Sequence, residues 1–174
     1  MINLKDKKVI ITGATGDIGK SLVKKFLSLG SMIIATGTNE KKLEELKNID
    51  KKIIAKKFDL SKIKEIKNFV EESFKELGAI DILVNNAGTN IDKLSLRMSE
   101  EDWQKIIDIN LSASFLMSKY TIQKMLKNNS GKIINITSIV GHTGNVGQSN
   151  YSASKAGIVG LSLIHISEPT RPLY

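Results

Sequence analysis

The chain has 174 residues, a formal net charge of +8, 41% hydrophobic and 25% charged residues, and no cysteine. That is enough chain for one domain with a real core, and the lack of cysteine excludes disulfides and thiolate metal sites. No apolar run reaches the roughly 18 residues of a membrane span, and Met1–Lys5 lacks signal-peptide anatomy, so the expectation is a cytoplasmic protein without a membrane partner. Lysines recur through nearly every segment, as at Lys7-Lys8, Lys24-Lys25, Lys41-Lys42 and Lys51-Lys52, without interleaved aromatics. Such scatter reads as a solvated surface rather than a nucleic-acid-binding stripe, although it suits an anionic cofactor or an acidic partner.

Lys8-Val9-Ile10-Ile11 is a short β-branched run, the mark of a strand buried on both faces of a parallel sheet. The turn Thr12-Gly13-Ala14-Thr15-Gly16-Asp17-Ile18-Gly19 follows. Then Ile18, Leu22, Val23, Phe26, Leu27 and Leu29 keep a helical period up to Gly30. Strand, glycine-rich turn and helix form the context a dinucleotide fingerprint requires: glycines let the backbone approach a pyrophosphate, and helix N-terminal amides face its charge. Met32–Ala35 reads as the second strand, ending in Thr36-Gly37-Thr38-Asn39, with no carboxylate before Glu40. A carboxylate there would repel a ribose 2′-phosphate, so its absence favours NADP(H) over NAD(H).

Ile53–Phe58 is the third strand and ends in Asp59-Leu60. Ser61 is placed to cap a helix with the stripe Ile63, Ile66, Phe69, Val70, Phe74 and Leu77. Ile80–Val84 is the fourth strand, and Asn85-Asn86-Ala87-Gly88 at its carboxyl end is either a turn or part of the edge where ligands lie. Ser99-Glu100-Glu101-Asp102 fits a capping box opening a long helix with Trp103, Ile106, Ile107, Leu111, Phe115, Leu116 and Met125. Asn110 lies within that stripe, as a satisfied core amide or as a residue that holds something in a site. Strand five is Ile133–Ile136, followed by Ser138 and a glycine-rich loop over 141–148. His142 stands alone in that loop, and no metal site is expected. Five alternations of strand and helix predict an α/β fold, a Rossmann-type doubly wound parallel sheet.

Tyr151 and Lys155 are four residues apart in a run of small, helix-compatible side chains, which puts them on one helical face. A cation held beside a phenol favours the phenolate and brings tyrosine into the range of general acid–base work. Ser138, just past a buried strand, can place its hydroxyl at the sheet's carboxyl edge.

Thr12-Gly13 through Gly19, Asn85-Asn86-Ala87-Gly88, Asn110, Ser138 and Tyr151-x-x-x-Lys155 together resemble the short-chain dehydrogenase/reductase family over residues 1 to 162. Leu94–Met98, Glu101-Asp102-Trp103 and Gly144–Tyr151 further resemble the 3-oxoacyl-[acyl-carrier-protein] reductase branch. The resemblance implies that Tyr151 protonates a substrate carbonyl, Lys155 assists it and holds the nicotinamide ribose, Ser138 binds the carbonyl, and Asn110 anchors a water of a proton relay. It implies cofactor contacts from Gly13, Ala14, Thr15, Gly16, Ile18 and Gly19 at the pyrophosphate, and from Thr38 and Asp59-Leu60 at the adenosine. Asn86, Ala87 and Gly88 would contact the cofactor near its nicotinamide half. The expected cofactor is NADPH, with NADH second; glycine at position 16, where some NADP-using relatives carry a basic residue, counts toward NADH. The expected substrate is a 3-oxoacyl group on acyl carrier protein, and the expected full-length form is a homotetramer. The alternatives are an acetoacetyl-CoA reductase or other short-chain alcohol dehydrogenase, and an inactive nucleotide-binding fragment.

The glycines of the turn fall at its second, fifth and eighth positions, with Asp17 in the sixth place where the family has glycine. Both prolines, Pro169 and Pro172, lie at the end of the chain. Two prolines so close break a helix, so residues 1–162 are expected to form the reductase domain, without its last strands, and 163–174 a foreign tail.

Overall fold

The computed structural model describes residues 3–163. The tail expected at 163–174 lies, beyond Leu163, outside the described residues. Five parallel strands, β1 (Lys8–Ile11), β2 (Met32–Gly37), β3 (Ile53–Lys57), β4 (Ile82–Asn85) and β5 (Lys132–Asn135), form one sheet in the order β3-β2-β1-β4-β5. The helices are α1 (Asp17–Ser28), α2 (Glu40–Lys47), α3 (Ile66–Leu77), α4 (Glu100–Ile106), α5 (Ala113–Met125), the short α6 (Val140–Thr143) and α7 (Ser149–Ser162).

The alternation of the strands divides their residues between two cores. Ile10, Ile34 and Leu83 face α3 and α5, meeting Phe69, Val70, Ala113 and Met117. Val9, Ile11, Ile33, Ala35 and Val84 face α1 and α2, meeting Val23, Phe26 and Leu46. Both faces are covered, which is why the strands read as continuous apolar runs. Each such fully buried side chain contributes about 1.5–3 kcal/mol relative to exposure.

Four local readings change. Helix α2 is present although its stripe is only Leu43 and Leu46; Asn39 caps it by accepting the Lys42 amide at 3.0 Å. Ser61 does not cap α3. Its own amide donates to the Asp59 carboxylate at 2.9 Å, a 3₁₀ turn follows at Ile63–Glu65, and α3 starts at Ile66. Strand β4 takes in Asn85, and the 141–148 loop contains α6. The predicted capping box does form: Ser99 Oγ accepts the Asp102 amide at 3.1 Å and Asp102 accepts the Ser99 amide at 3.2 Å.

The long helix beginning at Glu100 is interrupted by a π turn at Ile107–Ser112, with Asn110 buried inside it. A wider turn breaks the regular ladder, and serine hydroxyls just after it bond carbonyls four residues back. Ser114 Oγ donates to the Asn110 carbonyl, and Ser118 Oγ to that of Ser114, each at 2.7 Å. Among the described residues, no helix is long and apolar enough to cross a membrane.

Candidate active site

The strand order reverses at β1: successive strands first run outward through β2 to β3, then cross back to β4 and β5. A crevice outside the carboxyl ends of the strands is expected at such a switch point. The residues at those ends are Thr12-Gly13 after β1, Thr38 after β2, Asp59 after β3, Asn86-Ala87-Gly88 after β4 and Ser138 after β5. The glycine turn therefore lies between the ends of β2 and β3 and a second group around β4 and β5.

The turn is held from behind. Thr12 Oγ1 accepts the amides of Asn86 and Ala87, each at 3.0 Å, and Asn86 Nδ2 donates to the carbonyls of Thr12 and Gly13 at 2.9 and 3.1 Å. Asn86, expected to touch a cofactor, thus spends its side-chain amide on shaping the turn. Gly13 has φ +63°, and a Cβ there would come within 2.7 Å of the Ala87 Cα. Ala14 is buried and donates its amide to the Thr36 carbonyl at 2.9 Å; Thr15 packs on Gly37; Gly19 is buried; Gly16 and Ile18 are exposed. Gly16, the N-cap of α1, supplies no side-chain cap, so the first-turn amides of this helix are left for a ligand. That cradle fits the diphosphate of a dinucleotide.

Thr38, expected to contact an adenosine, is exposed just after β2. The Glu40 carboxylate beyond it is engaged by Lys57 at 2.7 Å, which holds it below the usual carboxylate range. The Ser61 amide likewise lowers Asp59. The Leu60 side chain belongs to the core, which leaves its main chain as the part available to a ligand.

Two of the catalytic candidates, Lys155 and Asn110, meet at Gly88. A Cβ placed on Gly88 would lie 3.3 Å from Lys155 Nζ and 3.4 Å from Asn110 Oδ1. Lys155 is 3% exposed, and Asn110 is fully buried. Lys155 Nζ donates to the Ile136 carbonyl at 2.9 Å and lies 5.7 Å from the centre of the Tyr151 ring. Burial holds the lysine below its ordinary pKa. An ammonium has three donors, so the bond to Ile136 leaves others over for ligand hydroxyls. Asn110 Oδ1 accepts the Thr89 amide, and its Nδ2 donates to the Thr89 carbonyl, both at 2.9 Å, and to Ser154 Oγ at 3.0 Å. Asn110 is thus a satisfied buried amide, and it stands beside Lys155.

Ser138 reaches the same helix through its own loop. Its carbonyl accepts the Gly141 amide at 3.0 Å, and its Oγ accepts the Val140 amide at 3.3 Å. Gly141 then rests on α7, where a Cβ would come within 2.9 Å of the Ala156 nitrogen and the Lys155 carbonyl carbon. Thr137 Oγ1 donates to the Lys155 carbonyl at 3.0 Å. Two loops fix the start of α7: the Lys93 amide donates to the Gly147 carbonyl at 2.9 Å, Gln148 Nε2 to Asp92 at 3.0 Å, and Asn150 Nδ2 to the Ile91 carbonyl at 3.2 Å. A cavity of about 720 Å³ opens beside this junction, bordered by Met98, Trp103, Gln104 and Ser149 and by none of Asn110, Ser138, Tyr151 or Lys155. Among the described residues, no group of three or more metal-ligating side chains occurs.

Sequence reasoning missed Thr12, Thr89, Thr137, Gly141 and Ser154. Only Thr12 carries a local signal, as a hydroxyl residue at the end of β1 directly before the glycine turn. Thr137 and Gly141 meet main-chain atoms of α7, and Thr89 and Ser154 meet the side chain of Asn110, all distant in sequence.

The sequence matches the short chain dehydrogenase family over residues 7–168, and the chain belongs to that family. It is 45% identical over 163 residues to the 3-oxoacyl-[acyl-carrier-protein] reductase FabG of Rickettsia felis, an alignment covering 93% of this chain and 66% of that protein. It is 42% identical to the FabG of Aquifex aeolicus, covering 92% of this chain and 67% of that one, and 39% identical to nodulation protein G of a Rhizobium species, covering 93% and 66%. A crystal structure assigned to a short-chain alcohol dehydrogenase from Sinorhizobium meliloti superimposes with a TM-score of 0.90 at 27% identity, over 95% of this chain and 68% of that one. The chain spans about two thirds of the length of the curated relatives it matches.

Proposed function

We propose that the chain is the cofactor-binding and catalytic portion of an NADPH-dependent 3-oxoacyl-[acyl-carrier-protein] reductase, an oxidoreductase of the cytoplasm acting between C=O and CH–OH in fatty-acid synthesis. The observation that carries this reading is the meeting of Lys155 and Asn110 at Gly88 beside the glycine turn, with the Tyr151 ring centre 5.7 Å from the Lys155 ammonium. The reductases among the relatives direct it to a 3-oxoacyl substrate on acyl carrier protein.

When bound, the nicotinamide supplies a hydride to the carbonyl carbon. The residues of the chain do the rest. Tyr151 gives its phenolic proton to the carbonyl oxygen, and Ser138 donates a hydrogen bond to that oxygen. Lys155, desolvated and tied to Ile136, offers its remaining donors to ribose hydroxyls and presents its charge to the Tyr151 ring. Asn110 holds the adjacent loop at Thr89 and marks where a proton relay from solvent would pass. NADPH is favoured over NADH because Glu40 is engaged by Lys57, while the exposed Lys41 and Lys42 stand just beyond Thr38. An outward apolar set on α5 and its continuation, Phe115, Ile122 and Leu126, suits a homotetramer of the full-length protein.

The test is reduction of a 3-oxoacyl thioester carried on acyl carrier protein and on coenzyme A, with NADPH and with NADH, by the parent and by Tyr151→Phe. Loss of the proton donor is expected to lower turnover by roughly 10²- to 10⁴-fold with NADPH binding retained. Turnover surviving in Tyr151→Phe would reject the mechanism, and equal use of the two carriers would reject the carrier-protein assignment.

A further inference from the structure

The geometry points to Ser154 as the residue that positions Asn110 against the catalytic helix, a role that rests on the function proposed above and goes beyond it. Ser154 is fully buried. Its Oγ donates to the Tyr151 carbonyl at 2.8 Å and accepts from Asn110 Nδ2 at 3.0 Å. A hydroxyl has one proton to give. With that proton committed to Tyr151, Ser154 presents only lone pairs to Asn110, and the NH₂ half of the amide is the half that matches them.

Thr89 makes the same demand from the other side. Its amide donates to Oδ1 and its carbonyl accepts from Nδ2, both at 2.9 Å. The two bonds from Nδ2 use both of its protons, so the amide has one orientation, with Oδ1 on the side of Gly88 and Lys155. Thr89, however, belongs to the loop after β4. Among the described residues, the Asn110–Ser154 bond is the hydrogen bond that joins the π turn to α7. Ser154 lies between the two residues of the Tyr151–Lys155 pair and next to the lysine, so it sets the distance of the amide from the ammonium. It touches neither substrate nor cofactor and acts through Asn110.

The test compares the protein with its Ser154→Ala and Ser154→Thr variants, the second keeping the hydroxyl. The measurements are kcat and KM for the 3-oxoacyl thioester, NADPH affinity by fluorescence titration, the thermal midpoint, and the Asn110 side-chain amide signals in ¹⁵N NMR. Ser154→Ala is expected to lower kcat roughly tenfold while KM and NADPH affinity change by less than about twofold. The Asn110 amide signals should shift and exchange faster with solvent, and Ser154→Thr should restore both readouts. Unmoved amide signals with unchanged kcat would overturn the assignment. So would a kcat loss matched by lost NADPH affinity, or a Ser154→Ala chain that does not fold, since either marks a merely structural serine. A parent without carbonyl reduction would defeat the functional reading alone; the amide signals of the cofactor-free protein would still decide for or against the positioning.

Discussion

The ammonium of Lys155 donates to the main-chain carbonyl of Ile136 at 2.9 Å, joining the catalytic helix to the segment just past β5. A carbonyl is a neutral acceptor, so the charge is desolvated without a carboxylate to offset it. Burial accordingly lowers the lysine below its ordinary value of 10.5.

This depressed pKa sets a pH dependence. Below the folded-state value, native and unfolded chains both carry the proton, and only the native one bears the desolvation cost. Between that value and 10.5 the unfolded chain binds more protons, so stability rises with pH through this window. In thermal melts of the cofactor-free protein and of Lys155→Met, rising pH should therefore move the difference in favour of the parent. A difference that moves the other way would contradict the burial of a charged lysine. Under the proposed mechanism the variant should also lose NADPH affinity and turnover together, because that mechanism gives one ammonium both roles.

Two of the three glycines of the turn, Gly13 and Gly16, are of unequal importance. Gly13→Ala meets a left-handed φ of +63° and backbone at 2.7 Å. It should cost the 1–2 kcal/mol or so of that conformation plus the displacement of Ala87, with NADPH affinity falling at least about tenfold. Gly16 has φ −80°, and its added Cβ would find nothing nearer than the Gly13 carbonyl oxygen at 3.6 Å. Gly16→Ala should leave folding stability within about 0.5 kcal/mol. Urea denaturation of both variants checks the contrast, and equal destabilisation would refute it.

Gly141→Ala should separate chemistry from cofactor binding. Its Cβ would press on main-chain atoms of Lys155 and Ala156 at 2.9 Å, which yield less than side chains do. The Ser138 loop must then move off α7 while the glycine turn stays in place. Turnover is expected to fall by roughly 10- to 100-fold with circular dichroism and NADPH affinity nearly unchanged. Full turnover would mean that the close approach of this loop is dispensable.

Much of the fold was legible because burial writes itself into periodicity. Val9, Ile10 and Ile11 are apolar in succession because the sheet is covered on both faces. Ser99 and Asp102 marked a helix start because capping is local in sequence. Helix α2 was not legible, since two leucines among lysines and glutamates make too thin a stripe. Ser61 misled because Asp59, two residues back, draws its amide into a turn before α3 begins.

The sequence by itself determined the alternation of strands and helices, the glycine turn, and the Tyr151–Lys155 spacing, all of which follow from interactions between near neighbours. Tertiary structure alone decided that Lys155 and Asn110 meet across Gly88, that Asn86 holds the turn, and that Ser154 faces Asn110. The partners involved are main-chain groups of Thr12, Gly13, Thr89 and Ile136 and one hydroxyl among many. Every residue carries a main chain, so such groups leave no mark in the sequence. Only the packing of α7 beside the π turn and the ends of β4 and β5 selects which of them become partners.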